Sequence, residues 1–188
     1  GLPRPAPPLV APEACHLGVY SRKKNLACLS FHRAAFDVPD SRVLAAFSAL
    51  VESSACCTLE SSCKVDAAGL QSARWNLFCH GDNAPDFLAA ALRLFDDYAA
   101  LSGAPLNLDL LRGYLSAGID FSQVRKVVTG VDLRAAPGVS RAKLWLMLAR
   151  APDLVERAIA LHGDGRVVRA LRFHDDFLLG FDLRFDGT

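Results

Sequence analysis

Four stretches of this chain alternate between an apolar set of residues and a second set that carries most of their polar and charged side chains. In Cys57–Asp66, the residues Thr58, Glu60, Ser62, Lys64 and Asp66 alternate with Cys57, Leu59, Cys63 and Val65, with Ser61 as the exception. In Gln71–Cys79, Ser72, Arg74 and Asn76 alternate with Ala73, Trp75 and Leu77. In 141–149, Arg141, Lys143, Trp145 and Met147 oppose Leu144, Leu146 and Leu148. In Phe177–Asp186, Gly180, Asp182, Arg184 and Asp186 oppose Phe177, Leu179, Phe181, Leu183 and Phe185. A period of two is that of a β-strand with two unlike faces. Glu60, Lys64, Arg74, Arg141, Lys143, Asp182 and Arg184 therefore collect on one face of a sheet. Arg offers a planar fork to an oxyanion and Lys a compact charge, so such a face could hold an anion. A carboxylate beside them could take up a proton. A solvated sheet face carries the same residues, and the residues alone leave both readings open.

The elements that position these strands are helical. Asn25–Phe36 reads as a short amphipathic helix, broken by Asp37-Val38-Pro39. Asp40 or Ser41 can cap the next, in which Val43, Leu44, Phe47, Leu50 and Val51 recur at helical spacing. Helical period returns over Pro85–Leu101, stopped by Gly103-Ala104-Pro105, then over Leu108–Leu115 and Pro152–Leu161. A short helix is expected over Arg166–Phe173, and a strand over 123–133 pairs with 141–149. The order is αββα, αββα, then αβ, an α+β class with antiparallel hairpins. Two architectures fit: an open sheet with helices on one side and solvent on the other, or a barrel with helices outside and the polar face lining a chamber.

Of 188 residues, 52% are apolar and 22% charged, and the net formal charge is +1. That excludes a disordered chain and argues against a general nucleic-acid binder, which needs an excess of Lys and Arg. No apolar run approaches the roughly 18 residues of a membrane span. Pro3, Pro5, Pro7, Pro8 and Pro12 make residues 1–24 an extended N-terminal arm, leaving 25–188 as the folded domain. The one methionine is Met147, so residue 1 is not read as a translation start, and 188 is taken as a lower bound on length. Six cysteines, at 15, 28, 56, 57, 63 and 79, lack the C-x(2–4)-C pairs of a zinc site. No secretory segment precedes them, so they are expected to be reduced and buried, in a cytoplasmic protein. The five histidines do not pair at ligand spacing, and Gly163-Asp164-Gly165 is a turn signal.

The run Leu59-Glu60-Ser61-Ser62-Cys63-Lys64-Val65, followed by Leu70-Gln71-Ser72-Ala73-Arg74-Trp75, resembles the first hairpin of the cyanobactin peptide prenyltransferases. Those enzymes carry E-S-S-C-x-V and then L-Q-x-x-R at the same spacing. Further similar runs are Phe31-His32-Arg33-Ala34-Ala35-Phe36-Asp37-Val38, Arg125-Lys126, Ser140-Arg141-Ala142-Lys143-Leu144-Trp145 and Leu179-Gly180-Phe181-Asp182-Leu183-Arg184-Phe185-Asp186-Gly187. Their order holds from about residue 26 onward.

The resemblance implies the αββα prenyltransferase barrel, in which ten antiparallel strands enclose a chamber ringed by helices. It implies transfer of an isoprenyl group, dimethylallyl or geranyl, from its diphosphate to a side chain of a ribosomal peptide. Mg²⁺ commonly accompanies the diphosphate, and no residue is read as its ligand. Arg74 and Lys143 match diphosphate-binding positions, and Arg141 joins them by parity. Glu60 matches a carboxylate beside the acceptor, the expected base. Trp145 stands where related enzymes often place an aromatic that shields the allyl cation, and Phe78 shares its parity. Asp182 and Arg184 would line the chamber. The expected partners are an isoprenyl diphosphate and a peptide, with neither nucleic acid nor membrane. Five strands are half a barrel, so the alternative is a truncated, non-catalytic relative: a peptide-binding or assembly module, two copies of which could form a homodimeric barrel.

Overall fold

The strands begin and end close to where the alternation does. The computed structural model describes residues 11–67, 69–103, 106–134, 139–162 and 176–187, and for 11–20, 102 and 162 the backbone alone. In chain order the elements are α1 (Ala11–Ala35), α2 (Arg42–Ser53), β1 (Cys57–Asp66), β2 (Gly69–His80), α3 (Ala84–Ser102), α4 (Asp109–Ser116), β3 (Val124–Asp132), β4 (Arg141–Ala149), α5 (Pro152–His162) and β5 (Asp176–Arg184). The class is α+β. The five described strands form one antiparallel meander, β1-β2-β3-β4-β5, each paired with its sequence neighbour. It is an open sheet, with β1 and β5 at its edges. No described helix is long and apolar enough to cross a membrane.

Two readings of the chain's first half need correction. Residues 11–24, expected as arm, are the first half of α1. Pro12 falls in its first turn, where a missing N–H costs no hydrogen bond. Residues 1–10 lie outside the described residues, as does the helix expected over Arg166–Phe173. The cysteines also divide. Cys57 and Cys79 are buried and Cys28 is half-buried, but Cys56 and Cys63 are exposed. Register shifts between Ser62 and Lys64, and beyond that irregularity Cys63, Val65 and Leu70 leave the core.

Ser41 caps α2, its hydroxyl accepting from Leu44 N at 3.1 Å. Val43, Leu44, Phe47, Leu50 and Val51 form the buried stripe that helical spacing predicts. The apolar strand face joins it: Trp75, Leu77, Leu144 and Leu146 are fully buried with Phe47, Phe95 and Tyr98. α1 lies along β1 and does more than cover it. The Asn25 side chain donates to Cys57 O at 2.8 Å and accepts from Leu59 N at 3.0 Å. One amide thus satisfies two backbone groups of an edge strand, as a neighbouring strand would. His32 adds a contact with Ser72 O at 2.6 Å and stacks edge-on against Trp75. With the helices anchored on one face, the opposite face of the sheet is left for the polar residues.

Candidate functional site

Register lays the polar face out in rows that cross all five strands. One row runs Ser62, Arg74, Asp132, Arg141, Arg184. The next runs Glu60, Asn76, Gly130, Lys143, Asp182, and the third Thr58, Phe78, Val128, Trp145, Gly180. Charge is therefore graded along the strands, from a mixed-charge row to an apolar and aromatic one.

Asp132 is the hub of the first row, and sequence reasoning missed it. It sits on the central strand with no exposed side-chain surface. Arg134 Nε reaches Asp132 Oδ1 at 2.9 Å; Arg74 Nε, Arg141 Nε and Lys143 Nζ approach Oδ2 at 3.4, 3.5 and 3.9 Å. A buried carboxylate persists as an anion only when paired this closely. Arg74 makes its ion pair with Asp132 through Nε. Arg141 also pairs with Asp182 at 2.8 Å, and Arg134 with Asp66 at 3.3 Å. Lys143 is buried, and the loss of solvent and the Arg74 charge push its ammonium below the ordinary 10.5, against the pull of Asp132 and Asp182.

Trp145 is half-buried on the same face as Lys143, whose Nζ stands 5.6 Å from the indole centroid. Phe78, in the same row two strands away, has Lys126 Nζ 5.0 Å above its ring. Glu60 lies one row from Arg74 on the neighbouring strand, and its hydrogen bond is with Asn76. Asn76 Nδ2 donates to Glu60 Oε1 at 3.4 Å, and Asn76 lies over Gly130 so closely that a Cβ there would meet Asn76 Oδ1 at 2.4 Å. Three strand spacings, about 14 Å on a flat sheet, separate Glu60 from Lys143. Arg184, on the edge strand, contacts Asp186 at 4.0 Å.

The fold thus brings together Arg74, Arg141, Lys143, Asp182 and Trp145, and leaves Glu60, Phe78 and Arg184 at the margins. Asp132 could have been found from parity, since it faces Arg74 and Arg141 once the strands pair. Arg134 lies past the end of its strand, where alternation carries no signal. Among the described residues no group of three His, Cys, Asp or Glu side chains converges to hold a metal ion. The one buried carboxylate is committed to cations, so the residues present do not fit a protein-held Mg²⁺. A cavity of about 480 Å³ is lined by Val38, Leu70, Ala73, Leu133, Arg134 and Phe185 among others; it touches the Asp132 cluster through Arg134, while Glu60, Arg74, Phe78, Arg141, Lys143, Trp145, Asp182 and Arg184 do not line it.

Residues 23–188 match the family model described as a family of unknown function, DUF5838. The chain belongs to that family. A search of curated proteins finds no match. The DUF5838 match takes in every element from the second half of α1 onward, and with them the whole polar face.

Proposed function

We propose that this DUF5838 chain transfers an isoprenyl group, dimethylallyl or geranyl, from its diphosphate to a side chain of a cyclic ribosomal peptide. One observation carries the reading: Arg74, Arg141 and Lys143 converge on buried Asp132 beside an aromatic row, on the sheet face opposite the apolar core. The allylic C1–O bond breaks with its electron pair leaving on the diphosphate, and the three cations take up that charge. The face of Trp145 stabilises the allyl cation through its quadrupole, with Phe78 further along the same row. The acceptor attacks C1 and gives up a proton, which Glu60 collects, and the span between Glu60 and Lys143 leaves room for a peptide side chain. Asp182 and Arg184 border the bound substrates. Any Mg²⁺ would arrive on the diphosphate, since no ligand set for it converges among the described residues. The free cysteines suit a reducing, cytoplasmic setting.

Incubation of the whole chain with dimethylallyl or geranyl diphosphate and linear or cyclic peptides tests this by mass spectrometry. Gain of one C5H8 or C10H16 unit on the peptide is expected. Calorimetry with a non-hydrolysable allylic diphosphate should show binding that Arg74→Ala weakens about tenfold or more. A folded wild-type chain that binds no such analogue sinks the proposal.

The open edges of the sheet favour a second reading, a non-catalytic peptide-binding or assembly module whose barrel is completed by another copy. Light scattering decides: a dimer with no transfer activity supports it, and an active monomer excludes it.

A further inference from the structure

The cations of the polar face are held from below. Asp132 is fully buried, and four basic groups from three different segments approach its two oxygens: Arg74 on β2, Arg134 after β3, and Arg141 and Lys143 on β4. Without it, two guanidiniums and an ammonium on neighbouring strands would repel one another and spread toward solvent. Arg134 is itself only 11% exposed and bridges Asp132 to Asp66, so the carboxylate is fixed on its inner side. Arg74 and Arg141 are thus both tied through Nε to one buried oxygen, and Arg141 Nη1 is also held by Asp182 at 2.8 Å.

We propose that Asp132 is the positioning residue of an anion site, setting Arg74, Arg141 and Lys143 at the spacing a diphosphate requires. The inference rests on the reading that this face binds a diphosphate, and it makes a prediction opposite in sign to simple charge counting. Asp132→Asn preserves shape and removes a negative charge, so Coulomb attraction alone would tighten pyrophosphate binding. Asp132 as positioner predicts the reverse, because the cations lose the anchor that aligns them. Asp182 supplies the contrast. It is partly exposed, forms its ion pair with Arg141, acts on Lys143 across the β4–β5 pair, and leaves the Asp132 ion pairs in place when neutralised.

Calorimetry with inorganic pyrophosphate on the whole chain provides the test. Asp132→Asn should weaken binding about tenfold or more, while Asp182→Asn should tighten it about two- to fivefold. Asp132→Asn binding as tightly as wild type, or more tightly, overturns the inference and leaves the diphosphate reading standing. Should Asp132→Asn fail to fold by circular dichroism, Asp132→Glu decides: it keeps the charge and displaces the carboxylate by one methylene. Pyrophosphate affinity within about twofold of wild type in that variant overturns the inference, and a larger loss supports it. Wild-type protein that does not bind pyrophosphate removes both readings together.

Discussion

The indole of Trp145 lies across Gly180, the residue that faces it on β5. A Cβ on Gly180 would stand 2.9 Å from Cδ1 and 3.0 Å from Nε1 of that ring. Gly130 is tighter still: a Cβ there would meet the Trp75 carbonyl oxygen at 2.4 Å as well as Asn76. A side chain can swing away, whereas a backbone oxygen in a central ladder cannot. Gly180→Ala should therefore change stability by less than about 1 kcal/mol while shifting the indole N–H resonance of Trp145 and leaving that of Trp75. Gly130→Ala should cost about 2–3 kcal/mol or more in urea unfolding. Equal losses from both would contradict this account.

Lys143 predicts a pH dependence with a definite sign. Its folded pKa lies below the ordinary 10.5, so between the two values the unfolded chain binds more protons. Stability contributed by this group consequently rises with pH across that window. Lys143→Arg stays charged and lacks the effect. Urea unfolding of both proteins from neutral to alkaline pH should show wild type gaining on the variant. Pyrophosphate affinity, expressed as the ratio of wild type to Lys143→Arg, should fall over the same range as Lys143 loses its proton. A ratio that stays flat would remove Lys143 from the binding site.

Asn25 is predicted to be a stability residue and a guard of the sheet edge. Asn25→Ala leaves Leu59 N–H without its side-chain partner and Cys57 O with the Ser21 hydroxyl alone, at a cost of about 1–3 kcal/mol. The same change uncovers strand backbone, so sedimentation should detect more self-association than in wild type. Retention of full stability in Asn25→Ala would show that water serves those groups equally well.

The cysteines should separate by reactivity. Cys56 and Cys63 are exposed, whereas Cys57 and Cys79 are buried in the core. The Cys57 thiol is pushed up by its hydrogen bond with Cys79 and by burial, which keeps it protonated and inert. Native-state maleimide labelling followed by peptide mapping should mark Cys56 and Cys63 first, and Cys57 and Cys79 only in urea. Early labelling of Cys57 would place β1 outside the core.

Alternation carried nearly all of the sheet. Arg141–Ala149 is a strand with the limits the pattern implies, because it buries one face and must keep its parity; Cys57–Asp66 has the implied limits too, but its alternation of burial ends at the irregularity after Ser62. Parity also gathered Arg74, Arg141 and Lys143 on one surface. Two things were hidden. Pro12 drew attention to chain stiffness, although a proline in a first turn begins a helix as readily as it ends one. Asp132 closes a valine-rich strand, where a single charge reads as a strand end, and its importance appears only when β2 and β4 flank it. The separation of Glu60 from Lys143 is likewise a matter of distance across strands, which no local pattern records.

The anchoring of the cations on Asp132 also governs how the face is approached from afar. Arg74, Arg134, Arg141 and Lys143 are set against Asp132, Asp66 and Asp182, four positive charges to three negative. Beyond about 10 Å, a Debye length at 0.1 M salt, little net field remains to draw an anion in. Capture then depends on collision and fit, giving an association rate that varies little with ionic strength. For a long polyanion, which needs a sustained positive surface, this cluster of four cations and three carboxylates supplies little long-range attraction.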